Sequence, residues 1–264
     1  MVALAFALRL FRLVAQSLWF DEIVTVYMAQ LSWYDGLLAL LGQGIQLTPL
    51  FHWAVKLWLP LGDAEWLLRF PAAVVGTLTV PLIFQLGRVY FNRRVGLLAA
   101  LLFAINPYQI WYGQELRLYA LLPLAAAGSM WAFGRLLRRE QRRDWWALAG
   151  FNMVGFLAHY FMFLVATVQF LVLLVTFKQT YSLLRKWVVA QMAAALPLLP
   201  WWGFIIYQRH FAIGVGWVPF PAWADPALTL MNFAFAWPEL AGFPALAGAL
   251  VLLASLIAGC YRAW

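Results

Sequence analysis

Charge is what this chain has least of. Only 11% of its 264 residues are Asp, Glu, Lys or Arg, while 66% are hydrophobic. A typical soluble domain carries about 25% charged residues. So few ionisable groups cannot cover a surface that faces water, which excludes a cytosolic domain and a disordered tail. The net charge of +8 does not make the chain a nucleic-acid module. Its basic residues stand between long apolar runs, where loop charge at a membrane explains them better. A single cysteine, Cys260, excludes a disulfide framework and a cysteine-rich metal centre. His52, His159 and His210 show no H-x-x-x-H or H-x-x-E spacing, so the metal signal is weak. The P-loop, the Rossmann glycine pattern, the G-x-S-x-G elbow and C-x-x-C are all missing. So is D-x-D, which would suggest a metal-bound nucleotide-sugar.

What is present is a series of uncharged apolar runs. About 20 apolar residues in a helix cross a hydrocarbon core of roughly 30 Å. The runs predict about eight transmembrane helices, near 1–16, 70–89, 95–110, 117–136, 145–158, 160–177, 187–206 and 241–260. The first lacks a basic n-region and an A-x-A site, so it reads as a short first helix rather than a removable signal peptide. No internal repeat or low-complexity linker interrupts them. The expected fold is all-α, one polytopic membrane bundle over 1–264, with an outer loop at 207–240 before the last span.

Lys and Arg placement orients the bundle. The loops holding Arg88, Arg93 and Arg94, then Arg135 to Arg143, then Lys178, Arg185 and Lys186, and finally Arg262, contain 12 of the 18 basic residues. They are expected in the cytoplasm. Eight of the ten acids then face the far side, including Asp21, Glu22, Asp35, Glu115 and Glu239. That side has the two long loops. In the first, WYDGLLALL and PLFHWAVKLWL read as short amphipathic helices on the membrane surface, with His52 and Lys56 away from the apolar face. The second carries Trp217-Val218-Pro219-Phe220-Pro221 and Trp223, which suits an interfacial lid or an anchoring aromatic belt.

Chemistry-bearing residues cluster on this outer side. Asp21 and Glu22 are adjacent carboxylates beside an apolar run. Burial disfavours their charge unless cations compensate, and such a carboxyl suits a general base that takes a proton from a hydroxyl. A helix cap is the alternative role. Arg117, at the outer mouth of the fourth span, needs an anion: the Asp21-Glu22 pair or a phosphate held by its guanidinium fork. On a continuous helix Glu115 and Tyr119 share a face while Arg117 points elsewhere. His159-Tyr160 marks the next outer turn.

In this order the motifs resemble the opening of family 39-type glycosyltransferases with the GT-C fold. These include the dolichyl-phosphate-mannose–protein mannosyltransferases and the lipid A aminoarabinose transferases. The similarity rests on LRLFRLVAQSLWFDEIVTVYMAQ, on QLTPLFHWAVKLWLPLGDAEWLLRFPAAVVGTLTV, on INPYQIWYGQELRLYALL and on AHYFMFLVATVQF, and covers roughly 4–175. The GT-C-like module is expected to extend over 1–206.

The resemblance implies transfer of a sugar from a polyprenyl-phosphate carrier to a hydroxyl of a lipid, glycan or protein acceptor, with inversion at the anomeric carbon. It implies Asp21 as general base. Glu22 and Arg117 would position it and neutralise the donor phosphate, and Tyr119, Glu115 and His159 would line the site. A plasma-membrane protein with an extracytoplasmic active site follows. Where many relatives have His-Pro-Pro or Pro-Pro in the first loop, this chain has Leu47-Thr48-Pro49, which weakens the case for a divalent metal, itself a possible cofactor. Relatives also continue for several more helices, so a C-terminally shortened chain is expected. A non-catalytic membrane subunit on the same fold and a lipid or solute transporter are the competing readings.

Overall fold

The structure is a computed structural model that describes residues 1–42, 48–207 and 228–229. Its elements are α1 (Val2–Leu10), α2 (Phe20–Gln30), α3 (Trp33–Gly42), α4 (Leu50–Trp58), α5 (Glu65–Tyr90), α6 (Arg93–Ile105), α7 (Pro107–Tyr112), α8 (Leu121–Arg138), α9 (Arg142–Ala158), α10 (Met162–Val175), α11 (Phe177–Ala195) and α12 (Leu199–Tyr207). Short 3-10 turns precede α8 and α12 and follow α4. Among the described residues there is no strand. Among those residues three helical stretches are long and apolar enough to cross a membrane: Glu65–Tyr90, Leu118–Arg138 and Thr180–Tyr207. Met162–Val175 is apolar but shorter. The chain is therefore a helical membrane bundle. The expected outer loop beyond Tyr207, with its Trp217–Trp223 cluster, and the expected span at 241–260 lie outside the described residues, apart from 228–229.

Sequence chemistry sets the boundaries. Asn92 caps α6, its side-chain oxygen accepting from the N–H groups of Arg94 (2.9 Å) and Val95 (3.0 Å). The span expected at 95–110 is not continuous. Pro107 drives Asn106 out of the helical region (φ −65°, ψ 122°), and Asn106 then caps the separate α7 through Gln109 N–H at 2.9 Å. The first span is shorter than 1–16. It ends at Leu10, and the chain turns away through Arg12 in the left-handed region (φ 57°).

The fourth span, expected at 117–136, is the stretch Leu118–Arg138, whose first turn is a 3-10 turn (Leu118–Ala120) ahead of α8. Pro123 has no N–H to give to the carbonyl four residues back, which disfavours α-helix upstream of Leu121. Residues 113–117 are irregular instead, with Arg117 extended (φ −140°, ψ 160°). Glu115 and Tyr119 therefore do not share a helical face.

The main helix contacts are α5 with α6 and with α8, α8 with α9, and α9 with α11, with α1 against α5. The hairpins α5–α6 and α8–α9 are antiparallel, whereas α5 and α8, and α9 and α11, run in the same direction. A hydrophobic core runs through α8 to α11, around Phe133, Leu148, Phe156, Met162, Leu173 and Trp187. The few polar groups inside it pair with one another. Gln169 donates to Ser129 (2.6 Å) and accepts from the indole of Trp187 (3.0 Å), and Asn152 donates to Gln191 (2.8 Å). Such hydrogen bonds between helices hold apolar bundles together. The alternation leaves α2, α3, α4, α7 and the 113–117 segment at one end. The loops with Arg88 to Arg94 and Arg138 to Arg143 lie at the other.

Candidate active site

The site is built on the first turn of α2. Trp19 is the N-cap residue, and its N–H donates to Glu22 Oε2 at 3.2 Å, the reciprocal half of a capping box. Asp21 and Glu22 both sit at the positive end of the helix dipole. Their environments then diverge, because successive helical residues point about 100° apart.

Glu22 is fully buried. Arg69, near the start of α5, grips it in a fork: Nε donates to Oε1 at 2.9 Å and Nη2 to Oε2 at 2.6 Å. The N–H of Leu116 adds a third bond to Oε1 at 2.7 Å. Arg69 spends its other donors on the carbonyls of Leu13 (2.9 Å), Gln16 (2.8 Å) and Ser17 (3.3 Å). One ion pair thus ties together the α1–α2 connection, the start of α2, α5 and the 113–117 segment. A planar, five-donor cation is the side chain suited to this task.

Asp21 remains accessible, its side chain 36% exposed. Arg117 faces it with Nη2 3.5 Å from Oδ2, and Nη1 reaches the Asp21 carbonyl (3.5 Å) and Thr25 Oγ1 (3.4 Å). These are long contacts, so Arg117 is held near the carboxylate without a tight fork. The Arg117 guanidinium lies 5.5 Å from the centre of the Tyr119 ring, which packs edge-on against Tyr112 at 4.9 Å. Both carboxylates thus have a cation, as their position beside an apolar run demands.

Glu115 is the third acid of the cluster and is buried. Trp111 Nε1 donates to its Oε1 at 2.7 Å, while Oε2 has no partner among the described residues. Burial pushes its carboxyl up to about 7; Glu22 adds to the rise, while the Trp111 bond and the Arg117 and Arg69 charges offset part of it. His52 of α4 is buried, with Nδ1 unpartnered among the described residues. Burial, reinforced by the nearby Arg117 charge, lowers it to about 4, so it is neutral at physiological pH.

Two cavities flank these groups. One of about 360 Å³ is polar, bounded by Arg12, Gln16, Trp19, Glu22, Arg69, Gln114 and Glu115. The other, about 220 Å³, is an apolar crevice between Phe51, Val55 and Trp58 of α4 and Leu68, Pro71 and Val75 of α5, with Arg117 on its wall. Among the described residues no three His, Cys, Asp or Glu side chains gather to hold a metal ion.

Of the residues singled out in the sequence, Asp21, Glu22, Glu115, Arg117 and Tyr119 come together. His159 does not join them. Its Nδ1 accepts from Phe161 N–H (3.1 Å), its ring packs on Tyr160 at 4.2 Å, and it borders a separate cavity of about 30 Å³ with Thr48, Leu198 and Trp202. Burial lowers its basicity.

Residues 46–204 match the model of the family described as dolichyl-phosphate-mannose-protein mannosyltransferase. The match spans more than half of the chain. The chain belongs to this family. It is a membrane glycosyltransferase of the GT-C type, mannosyltransferase-like. Glu115, Arg117, Tyr119 and His159 fall within the matched region, and Asp21 and Glu22 precede it. No curated protein and no solved structure matches the chain.

Arg69 and Thr25 did not stand out in the sequence, and His52, expected away from the apolar face of a surface helix, is buried instead. Arg69 carried a usable signal, since an arginine beside an apolar span requires an anion. Thr25 carried none beyond its i+4 relation to Asp21, whose carbonyl accepts its hydroxyl at 2.8 Å.

Proposed function

We propose that this chain transfers a sugar, with inversion, from a polyprenyl-phosphate carrier to an acceptor hydroxyl at the extracytoplasmic face of the plasma membrane, acting as one membrane domain. The observation that carries the proposal is the Asp21–Arg117 pair beside the apolar crevice. A lipid phosphate needs an apolar slot for its chain and a cation at the slot's polar mouth, and the crevice with Arg117 offers both.

In the proposed step Asp21 accepts the proton of the acceptor hydroxyl. The freed oxygen attacks the anomeric carbon while the bond from that carbon to the phosphate oxygen breaks. The departing polyprenyl phosphate gains negative charge, which the Arg117 guanidinium stabilises. A single carboxylate base suffices for a one-step inverting displacement. Glu22 acts through position: locked by Arg69, it fixes the α2 turn on which Asp21 stands. Glu115, which borders the polar cavity, and Tyr119, under Arg117, are assigned to substrate binding; His159, in a separate small cavity, is not. The buried pairing of Gln169, Ser129, Trp187, Asn152 and Gln191 supports an enzyme over a transporter, because it leaves these mid-bundle polar groups serving packing.

The test is transfer by the full chain in proteoliposomes, with a polyprenyl-phosphate-mannose donor and a panel of lipid, glycan and hydroxyl-peptide acceptors. Asp21→Asn is expected to lower turnover at least ~100-fold, within the range that a general base supplies. Undiminished transfer by that variant removes Asp21 as the base. Absence of transfer by the unaltered chain with every polyprenyl-phosphate donor favours the non-catalytic subunit reading.

A further inference from the structure

At the end of the bundle away from Asp21, a further, larger cavity of about 720 Å³ opens between α9 and α11. Its α9 wall follows Arg142, Trp145, Trp146 and Ala149, spaced so that they share one helical face. Its α11 wall follows two adjacent rows, Tyr181, Arg185 and Val189, and Ser182, Lys186 and Ala190, and reaches Ala193. Its charges are Arg142 in the first turn of α9 and Arg185 and Lys186 midway along α11. Beyond Arg142 the α9 wall is Trp145, Trp146 and Ala149, and beyond Arg185 and Lys186 the α11 wall is Val189, Ala190 and Ala193, about 12 Å along the helix at 1.5 Å per residue.

The local acids are already engaged. Glu140 is bonded to Lys186 at 2.5 Å and Asp144 to Arg135 at 2.6 Å. Arg142 and Arg185 have no ion pair among the described residues, and both are exposed. What this face lacks is an anion placed where the charged turn meets the apolar wall. The wall belongs to the stretch Thr180–Tyr207, which is long and apolar enough to cross a membrane. Trp146 is 67% exposed and Tyr181 55%, as side chains are that meet a headgroup region.

We infer that this groove binds an anionic phospholipid of the surrounding bilayer. The headgroup phosphate sits between Arg142 and Arg185, and an acyl chain lies along Trp146, Val189 and Ala193. The order of features decides for a lipid: a nucleotide or an acidic peptide would use the two cations but leave the apolar wall uncovered. Basic pockets between membrane helices are established receptors for such headgroups. This site is separate from the Arg117 crevice, since it is built by other helices at the opposite end of the bundle. It is therefore not a second reading of donor binding.

The experiment is native mass spectrometry of the intact, detergent-solubilised chain with phosphatidylglycerol or phosphatidylcholine. It is paired with fluorescence quenching by phosphatidylglycerol brominated on its acyl chains, in the unaltered chain and in Trp145→Phe/Trp146→Phe. Preferential retention of phosphatidylglycerol is expected. Arg142→Gln/Arg185→Gln should weaken it about thirtyfold, as loss of two headgroup-facing cations does, with phosphatidylcholine unchanged. Part of the quenching should disappear with the two tryptophans. The control Arg138→Gln/Arg143→Gln removes two exposed basic residues that do not line the groove, and it should retain the lipid. Three results each overturn the inference: equal retention of the two lipids, equal loss in the control, or quenching unaffected by the tryptophan changes. The last is expected if another part of the chain fills the groove.

Discussion

Glu115 shows what burial does to a single acid. Its carboxyl stays protonated to about pH 7, whereas in an unfolded chain it ionises near 4.5. Between those values the folded state binds more protons than the unfolded state, so this group makes stability fall as pH rises through that window. Glu115→Gln has no proton to lose and keeps an amide that can accept from Trp111. Thermal unfolding in detergent at pH 5 and pH 8 should show a smaller loss at the higher pH for Glu115→Gln than for the unaltered chain. Equal losses would mean that Glu115 does not titrate in this range. Asp21, close to the same cluster, differs in exposure: it is open enough to meet an acceptor and lies near the Arg117 cation through long contacts.

Helix pairs in this bundle depend on how closely their backbones approach. At the α5–α6 hairpin Gly87 and Gly96 touch, and a Cβ added to Gly87 would lie 2.6 Å from Gly96 Cα. The obstacle is backbone, which cannot swing aside as a side chain can. Gly87→Ala should therefore destabilise the chain by about 1–3 kcal/mol, the usual cost of overpacking. Gly150, in the middle of α9, has nothing within 4 Å of its added Cβ. Gly150→Ala should be neutral or stabilising by up to ~1 kcal/mol, because alanine favours the helix. Melting temperatures of the two variants in the same detergent make the comparison, and a lower value for both would show that space is not what separates them. Lys56 illustrates a different device. Its ammonium donates to the carbonyls of Ala29 (3.1 Å) and Leu31, closing the end of α2 from α4.

For the whole molecule, the Glu22–Arg69 pair is the connection on which the site end depends. Four separate stretches meet at it, and both partners are buried. Breaking it with Glu22→Ala leaves Arg69 buried without a counter-charge and should cost about 3–5 kcal/mol. Replacing both groups, as in Glu22→Leu/Arg69→Met, should recover much of that stability, because no uncompensated charge then remains. Transfer activity should stay low in the double variant, since Leu13, Gln16 and Ser17 lose their shared donor and the Asp21 turn loses its anchor. Denaturation and transfer assays on the same preparations separate the two effects. A double variant no more stable than Glu22→Ala would show that the pair contributes more than mutual compensation.

Much of this organisation is legible in the amino-acid sequence by itself. An apolar chain with little charge, and with basic residues concentrated in alternate loops, folds as a helical membrane bundle. Asn92, Asn106 and Pro107 mark helix ends because their effects reach only a few residues. Asp21, Glu22, Glu115 and Arg117 stand out because ionisable groups beside apolar runs are costly and need a reason to be there. Tertiary structure alone decided how those groups divide the work. Arg69 lies 47 residues from Glu22 and Leu116 lies 94 from it, and no local pattern links them. Packing of α2 against the start of α5 assigned Glu22 to a buried fork, left Asp21 open beside Arg117, and set His159 in a different cavity. Local sequence determines where helices begin and which faces are apolar. Which charge finds which partner depends on the packing of segments far apart in the chain.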